Sequence, residues 1–243
     1  MANLYRFLAQ SEHPVARAVR AVRKVFVNFS IPAPRFVFKP LLWIVVGLRG
    51  TWYFLLRVFV CEPFFKACCT KYGKGLRTDV YIHWMQGKGD IIVGDDVIVD
   101  GKCTFAFASS YSEHPTLEIG DHSGIGHASK FVVGKRITIG RHCRIGQSVW
   151  MFDSTGHAAD PSKRLSGVPP DPEEVRPIHI GDNVWIGDRA IVFPGVPIGE
   201  GSIIAPASVV TSDVPANTIA MGNPARKIAA LKPATDNSLV YTS

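Results

Sequence analysis

The clearest repeat in the sequence is PIHIGDNVWIGDRAIVFPGVPIGEGSIIAPASVV, residues 177–210. An aliphatic residue returns at every sixth position in it: Ile180, Ile186, Val192, Ile198, Ile204 and Val210. Small residues such as glycine and alanine follow many of these positions. A period of six matches neither the 3.6-residue repeat of an α-helix nor the two-residue repeat of a strand. It is typical of a chain that runs a short strand, turns sharply and repeats.

The same six-residue frame occurs in three earlier blocks, which are Val93, Val99, Phe105; Ile119, Ile125, Phe131; and Ile139, Ile145, Met151. Three short sides of six residues make a triangular coil of about eighteen residues, the unit of a parallel β-helix. An ordinary sandwich would alternate with a period of two instead. The sequence therefore predicts a mainly β protein built from stacked coils, each of which buries its aliphatic residues against the next.

Three regions follow from this frame. Residues 1–80 are predicted to form a helical extension that either associates with a membrane or packs within an oligomer. Residues 81–228 are predicted to form the repeat domain, interrupted by a loop over 152–177, and residues 229–243 a C-terminal tail. Residues 1–80 hold thirteen Lys/Arg and three Asp/Glu, whereas the rest of the chain carries a net charge of −3. A nucleic-acid-binding protein would place its basic residues on the folded domain, so this class is not expected.

The helical extension contains a basic amphipathic segment over residues 15–29, VARAVRAVRKVFVNF. Its valines and phenylalanines have helical spacing, with arginine and lysine largely between them. Such a helix suits an anionic membrane surface, or else packs on its own protein with a solvated basic face.

A second apolar segment, LLWIVVGLRGTWYFLLRVFV, covers residues 41–60. Its length is enough to cross a bilayer, but Arg49 and Arg57 would each cost about 2.5–3.5 kcal/mol near the bilayer centre. Gly47 and Gly50 weaken the helix beside Arg49. We therefore favour a monotopic attachment, as an in-plane helix or a shallow hairpin, over a full span. Packing on the β-helix or on a neighbouring subunit is the third possibility.

The loop after Met151 begins with FDSTGHAADPSKR, residues 152–164, and is rich in proline. A long loop in a compact repeat array is often functional. His157 stands near its base, and an imidazole suits a general base that works near neutral pH. Asp153 is expected to orient that ring by a hydrogen bond.

The motifs STGH (154–157), NVWIG (183–187), PGVPIGEGSIIAPASVVTSDVP (194–215) and MGNPARKI (221–228) resemble those of the hexapeptide-repeat acetyltransferases. The resemblance is strongest to the galactoside, maltose and polysaccharide-biosynthesis sugar O-acetyltransferases and covers residues from about 90 to 230. It implies a left-handed parallel β-helix, acetyl-CoA as co-substrate, no metal, and a homotrimer with its sites between subunits.

The resemblance also implies roles for individual residues. His157 would take the proton of the acceptor hydroxyl, and Trp185 would pack beside the pantetheine arm. The remaining residues implied to bind the cofactor are Gly187, Gly195, Ala205, Pro206, Thr211, Arg226 and Lys227. Lys227 enters because Ser212 stands where relatives often carry a nucleotide-binding lysine.

Acceptor contacts are expected from His127, Ser129 and Arg164. The stretch IGHASKF, residues 125–131, has no asparagine where soluble sugar acetyltransferases use one. The acceptor is therefore expected to differ from theirs. The five cysteines show no CxxC spacing and are expected to be reduced, small core residues.

The sequence thus predicts an O-acetyltransferase that acts on a sugar hydroxyl, with a lipid-linked saccharide or polysaccharide precursor as acceptor. No signal peptide is visible at the start of the sequence, and the expected location is the cytoplasmic face of the inner membrane, or the cytoplasm. Two alternatives stay open at this point. One is an N-acetyltransferase for an amino sugar or a xenobiotic, and the other is a β-helix scaffold without activity.

Overall fold

The computed structural model describes residues 2–232, and the chain divides into two compact units, Met1–Thr51 and Trp52–Ser243. Most of the predicted C-terminal tail, residues 233–243, lies outside the described residues.

The first unit contains helices α1 (Ala2–Gln10) and α2 (Pro14–Asn28) and most of α3 (Arg35–Leu56). Pro14 occupies the first turn of α2, where its missing N–H costs nothing. Ala16 is fully buried, and Arg20 Nη1 donates to the carbonyl of Leu8 at 2.9 Å. The predicted helix over 15–29 is thus confirmed.

Helix α3 continues through a π-helical turn (Arg57–Cys61) into α4 (Glu62–Cys68). The continuous segment Arg35–Cys68 contains an 18-residue window with a mean hydropathy of 1.6, and it is long and apolar enough to cross a membrane by length and composition. The hairpin considered from the sequence is absent, since the helix runs through Gly47 and Gly50. A glycine costs a helix only about 1 kcal/mol, and Leu48 and Arg49, which lie between the two glycines, are strong helix-forming residues.

The second unit is a left-handed parallel β-helix with three sheets, here called sides A, B and C. Side A consists of β1 (Lys71–Tyr72), β4 (Asp90–Val93), β7 (Thr116–Ile119), β10 (Arg136–Ile139), β13 (Ile178–Ile180) and β16 (Pro197–Ile198). Side B consists of β2 (Arg77–Thr78), β5 (Ile98–Val99), β8 (Gly124–Ile125), β11 (Arg144–Ile145), β14 (Trp185–Ile186), β17 (Ile203–Ile204), β19 (Thr218–Gly222) and β20 (Ala225–Ala230). Side C consists of β3 (Trp84–Gln86), β6 (Thr104–Phe107), β9 (Lys130–Val133), β12 (Trp150–Phe152), β15 (Ile191–Val192) and β18 (Val209–Val210).

The strand register confirms the six-residue frame. On side A, Ile119 pairs with Ile139, which pairs with Ile180, so equivalent positions in successive blocks stack directly. On side C, the rings of Phe105 and Phe131 stack at 5.6 Å between centroids with an 8° tilt. The aliphatic positions of all blocks form one continuous buried core.

The corners of the coils impose two separate backbone demands. The glycine that follows a strand approaches the next coil closely, since a Cβ on Gly126 would lie 2.5 Å from the carbonyl carbon of Gly146. The left-handed conformation falls two residues later, at His122, Ala128 and His142 for example, with φ of 56–59°. Glycine is therefore required directly after the strand because a side chain would not fit there, and not because the backbone needs a positive φ.

The repeat domain begins at β1 and not at residue 81, so the predicted boundary is about ten residues too late. The first coil was missed because Tyr72 and Thr78 occupy its frame positions instead of aliphatic residues. Helix α4 covers its core: Phe65 is 2% exposed, and its ring lies 5.6 Å from that of Phe105.

His83 is wedged between these two phenylalanines, 4.6 Å from the ring of Phe65. It is buried, and neither of its ring nitrogens has a hydrogen-bond partner. Burial lowers the pKa of His83 to about 4, against a smaller opposing effect of Asp79. The neutral imidazole is therefore part of the core at this end of the helix.

The expectation that the cysteines are reduced core residues is confirmed for three of the five. Cys61, Cys103 and Cys143 are buried and all five are free thiols, but Cys68 is exposed. Burial raises the pKa of the Cys103 thiol to about 12, which makes it inert.

Candidate active site

The His157 groove is a cleft of about 480 Å³ on side C, where β12 runs into the long loop. Outward-facing residues of four neighbouring strands form its floor, and the first residues of the loop form its end. It is lined by Gln86, Ala106, Phe107, Ala108, Lys130, Val132, Trp150, Met151, Phe152, Ser154, Thr155, Gly156 and His157. A rigid sheet thus presents one exposed imidazole at the end of a cleft with an aromatic wall.

The backbone around His157 is fixed by local hydrogen bonds. Gly156 has φ of 77°, a conformation that favours glycine, and its N–H donates to Ser154 Oγ at 3.3 Å. Thr155 Oγ1 donates to the carbonyl of His157 at 3.1 Å. Within residues 2–232, neither ring nitrogen of His157 has a hydrogen-bond partner, so the ring is open to a substrate hydroxyl.

Asp153 does not orient His157, and that prediction is wrong. Asp153 is fully buried, and its carboxylate accepts hydrogen bonds from the backbone N–H groups of Gly134, Lys135 and Arg136. Its own carbonyl accepts from Arg176 N at 2.9 Å. Asp153 therefore ties both ends of the loop to the turn of the preceding coil, through distant backbone amides that no residue type in the sequence marks.

Burial raises the pKa of the Asp153 carboxyl, while the three amide hydrogen bonds oppose that rise. Desolvation is the larger effect, so the pKa of this carboxyl lies above its ordinary value.

The loop contains a short helix, α5 (Pro161–Leu165), which Asp160 caps by accepting a hydrogen bond from Lys163 N. Arg164 lies on this helix. Its Nη1 donates to the carbonyls of Ala158 and Ala159, at 3.1 and 3.0 Å. The guanidinium therefore supports the backbone that follows His157. Its predicted contact with an acceptor stays a prediction.

The predicted cofactor residues fall into three groups. Trp185 is 52% exposed on side B, and Gly187, Ala205 and Pro206 form the neighbouring B–C corner. A Cβ on Gly187 would lie 2.5 Å from Pro206 N, so these two coils touch. Arg226 and Lys227 are also on side B, exposed on β20.

Gly195 and Thr211 lie at the next corner, between sides C and A. Gly195 has φ of 77° and packs against Arg176, its N–H donating to that residue's carbonyl at 2.9 Å. None of the predicted cofactor residues lines the His157 groove. A single chain therefore does not bring His157 and Trp185 into one cleft.

Two of the predicted acceptor contacts lie away from the groove. Ser129 is fully buried; its hydroxyl donates to the carbonyl of Gly146 at 3.1 Å and accepts from Val149 N. That prediction is wrong, because Ser129 bridges two coils. His127 is half-buried against Tyr81, with ring centroids 5.7 Å apart, and its acceptor contact stays a prediction.

Sequence reasoning missed Lys130 and Trp150, whose side chains meet in the groove. Lys130 Nζ lies 4.9 Å from the centroid of the Trp150 ring. Both residues immediately precede a core position of the frame, Phe131 and Met151, and so face outward on the same side. The sequence could have revealed this pair, because residues that precede aligned core positions of two successive coils lie side by side on the outer face.

No group of three or more His, Cys, Asp or Glu side chains that could hold a metal ion occurs within the described part of the chain.

The comparisons with known proteins agree with this fold. Residues 177–212 match the family model "Hexapeptide repeat of succinyl-transferase". Together with the stacked six-residue frame, this match shows that the chain has a hexapeptide-repeat fold.

The chain is similar in sequence to proteins whose names call them acetyltransferases. It is 49% identical over 92 residues to "Putative acetyltransferase C18B11.09c" of Schizosaccharomyces pombe, covering 38% of this chain and 42% of that protein. It is 37% identical over 132 residues to "Putative acetyltransferase YJL218W" of Saccharomyces cerevisiae, covering 53% of this chain and 65% of that protein. The match thus spans less than two thirds of either relative.

Among solved structures, the chain is similar to the hexapeptide-repeat-containing acetyltransferase VCA0836 of Vibrio cholerae, complexed with acetyl coenzyme A. The TM-score is 0.50 at 26% identity, with 75% of this chain and 85% of that chain covered. The likeness extends over most of the β-helix and not only over the residues of the family model.

Proposed function

We propose that this protein is an acetyl-CoA-dependent O-acetyltransferase that acetylates a hydroxyl group of a sugar. The observation that carries the proposal is the exposed imidazole of His157 at the end of a substrate-sized groove, on a loop that Asp153 fixes to the coil. The names of the relatives and the acetyl-CoA complex of VCA0836 support the donor.

In the proposed reaction, His157 takes the proton of the acceptor hydroxyl while the hydroxyl oxygen attacks the thioester carbonyl carbon. The C–S bond then breaks, and the coenzyme A thiolate recovers the proton from the imidazolium. A thioester is already activated, so a base and a fixed geometry provide most of what the reaction needs. Backbone N–H groups at the coil corners are suited to stabilise the oxyanion.

We further propose that the working protein is a homotrimer. The groove with His157 lies on side C, whereas Trp185, Arg226 and Lys227 lie on side B. Side C of one subunit facing side B of the next would unite the base with these donor-binding residues. The test is sedimentation equilibrium, which should give three times the 26.6 kDa chain mass. A monomer that transfers acetyl groups would contradict this.

The site of action is proposed to be an anionic membrane surface, at the cytoplasmic face of the inner membrane. Between Pro14 and Cys61 the sequence has eight Lys/Arg and no Asp or Glu. Large apolar side chains are exposed along the same segment, among them Phe26, Phe36 and Trp43. Apolar exposure with positive charge matches the lipid boundary of an anionic bilayer. The acceptor would then be a lipid-linked saccharide or a polysaccharide precursor.

The membrane proposal is tested by flotation of the full chain with vesicles of phosphatidylcholine alone and with one quarter phosphatidylglycerol. We expect binding to the anionic vesicles and a marked loss in the Arg17→Gln/Arg20→Gln/Arg23→Gln variant. Lys71→Gln/Lys74→Gln/Arg77→Gln, which removes the same charge from the first coil, is the matched control. Equal loss in both variants would contradict a specific role for α2.

The activity is tested by coenzyme A binding and by the chemistry of the product. Acetyl-CoA should raise the melting temperature, and an O-acetylated product should be cleaved by alkaline hydroxylamine. A hydroxylamine-stable product would favour the N-acetyltransferase alternative. No binding of coenzyme A would favour the scaffold alternative.

A further inference from the structure

We propose that the His157 groove selects an anionic saccharide, with Lys130 binding the acid group and tryptophan faces supporting the sugar rings. This inference rests on the proposed function, since it names the substrate class of the same site.

The first support is the order of residues across side C. Register places Trp84 beside Thr104, Thr104 beside Lys130, and Lys130 beside Trp150, on four consecutive strands. All four side chains face outward because their neighbours Met85, Phe105, Phe131 and Met151 occupy the inward positions of the coil. Neighbouring strands are about 4.8 Å apart, so the backbones of the two tryptophans lie about 14 Å apart along side C. That distance suits two or three pyranose rings. Trp150 lines the groove, and Trp84 lies on β3, the strand whose Gln86 lines it.

The second support is the exposure of these aromatic rings. Trp84 is 67% exposed and Trp150 is 47% exposed. Large aromatic side chains usually bury most of their surface, and an indole face offers a flat apolar platform with a polar edge. Two such platforms on side C, the side that carries the His157 groove, are suited to the C–H faces of sugar rings.

The third support is charge. Among the residues that line the groove, none is Asp or Glu, and Lys130 is the formal positive charge. Within the described residues, Lys130 Nζ contacts the ring of Trp150 and no carboxylate oxygen lies within 4.0 Å of it. A neutral ligand that covers the half-buried Lys130 ammonium group removes its hydration and gives no charge in return. A carboxylate or phosphate replaces the lost hydration with a charge-assisted hydrogen bond. The groove therefore favours an acidic sugar over a neutral one.

The test compares methyl β-D-glucuronide and methyl β-D-glucoside, which differ only at C6, where the first has a carboxylate and the second a hydroxymethyl group. Binding to the full-length protein is measured by isothermal titration calorimetry at low ionic strength. We expect the wild type to bind the glucuronide about tenfold more tightly or better. Lys130→Gln should bring the ratio of the two dissociation constants close to one.

The matched control is Lys102→Gln. Lys102 Nζ also rests on an aromatic ring, that of Tyr81 at 4.4 Å, but it lies outside the groove. This variant should keep the wild-type ratio. Equal binding of the two glycosides by the wild type, or binding of neither, would overturn the inference.

Lys130 could instead meet a phosphate of the donor, and the same variants distinguish this source. If Lys130→Gln weakens the binding of coenzyme A and leaves the glycoside ratio unchanged, the inference is overturned. Failure of the proposed function has a different signature, which is tight glucuronide binding without acetyl transfer. Equal acetylation of both glycosides would leave the function standing and overturn the acidic-sugar inference.

Discussion

Asp153 Oδ2 accepts a hydrogen bond from the backbone N–H of Arg136 at 2.8 Å, across two successive coils. The same carboxylate also holds Gly134 and Lys135, so one buried side chain closes a tight turn and anchors the loop that carries His157.

Asp153→Ala should therefore act on stability and on the shape of the loop, not on the basicity of His157. Leaving several buried amides unpaired is expected to cost roughly 3 kcal/mol of unfolding free energy. Activity should fall, but the pH at which kcat/KM is half-maximal should stay where the wild type has it. Urea unfolding and a pH–rate profile measure both quantities; a displaced profile would restore Asp153 as the partner of His157.

His83 should make the stability of the protein depend on pH. Its pKa falls from the ordinary 6.5 to about 4 in the folded state because the ring is buried between phenylalanines. Between these two values the unfolded chain binds more protons, so the free energy of unfolding decreases as the pH falls below 6.5 and levels off below 4. The loss attributable to His83 is about 3 kcal/mol.

The variant His83→Leu checks this assignment. It removes two buried nitrogens without partners and should be at least as stable as the wild type at pH 7.5. Its stability should depend less on pH between 6.5 and 4. Urea titrations at several pH values measure this dependence. If the unfolding free energy of His83→Leu changes with pH as steeply as that of the wild type, other groups cause the acid sensitivity.

Coil spacing is tested by a pair of glycines two residues apart. Gly126→Ala would force a methyl group against the backbone of Gly146, and overpacking of this kind costs about 1–3 kcal/mol. Gly124→Ala places its Cβ 3.7 Å from Arg144 Cδ, an ordinary contact, and should be tolerated. Thermal unfolding of both variants compares the costs. Equal stability would mean that the coils separate more easily than their contacts indicate.

The sequence predicts the repeat well because the core depends on a local rule, one aliphatic residue per side. The stacking of Ile139 on Ile180 could be inferred although forty residues separate them, since the frame resumes after the loop. The first coil could not be found in this way, because Tyr72 and Thr78 interrupt the pattern.

The site was less predictable, since its contacts join residues far apart in sequence. His157 stands out by its motif, whereas the partners of Asp153 are backbone amides and leave no trace in residue type. Ser129 looked like a surface polar residue, yet its hydroxyl bridges two coils from inside. Lys130 and Trp150 become neighbours only when two coils are laid side by side.

The most direct measurement compares the rate of acetyl transfer by wild type, His157→Ala and His179→Ala. The rate is measured through the release of the coenzyme A thiol. His179 is an exposed histidine on side A and serves as the matched control. Removal of a general base should lower kcat by a factor on the order of 10² or more, with the melting temperature unchanged. The control should keep wild-type turnover. Wild-type turnover in a folded His157→Ala variant would show that the imidazole in this groove is not the base.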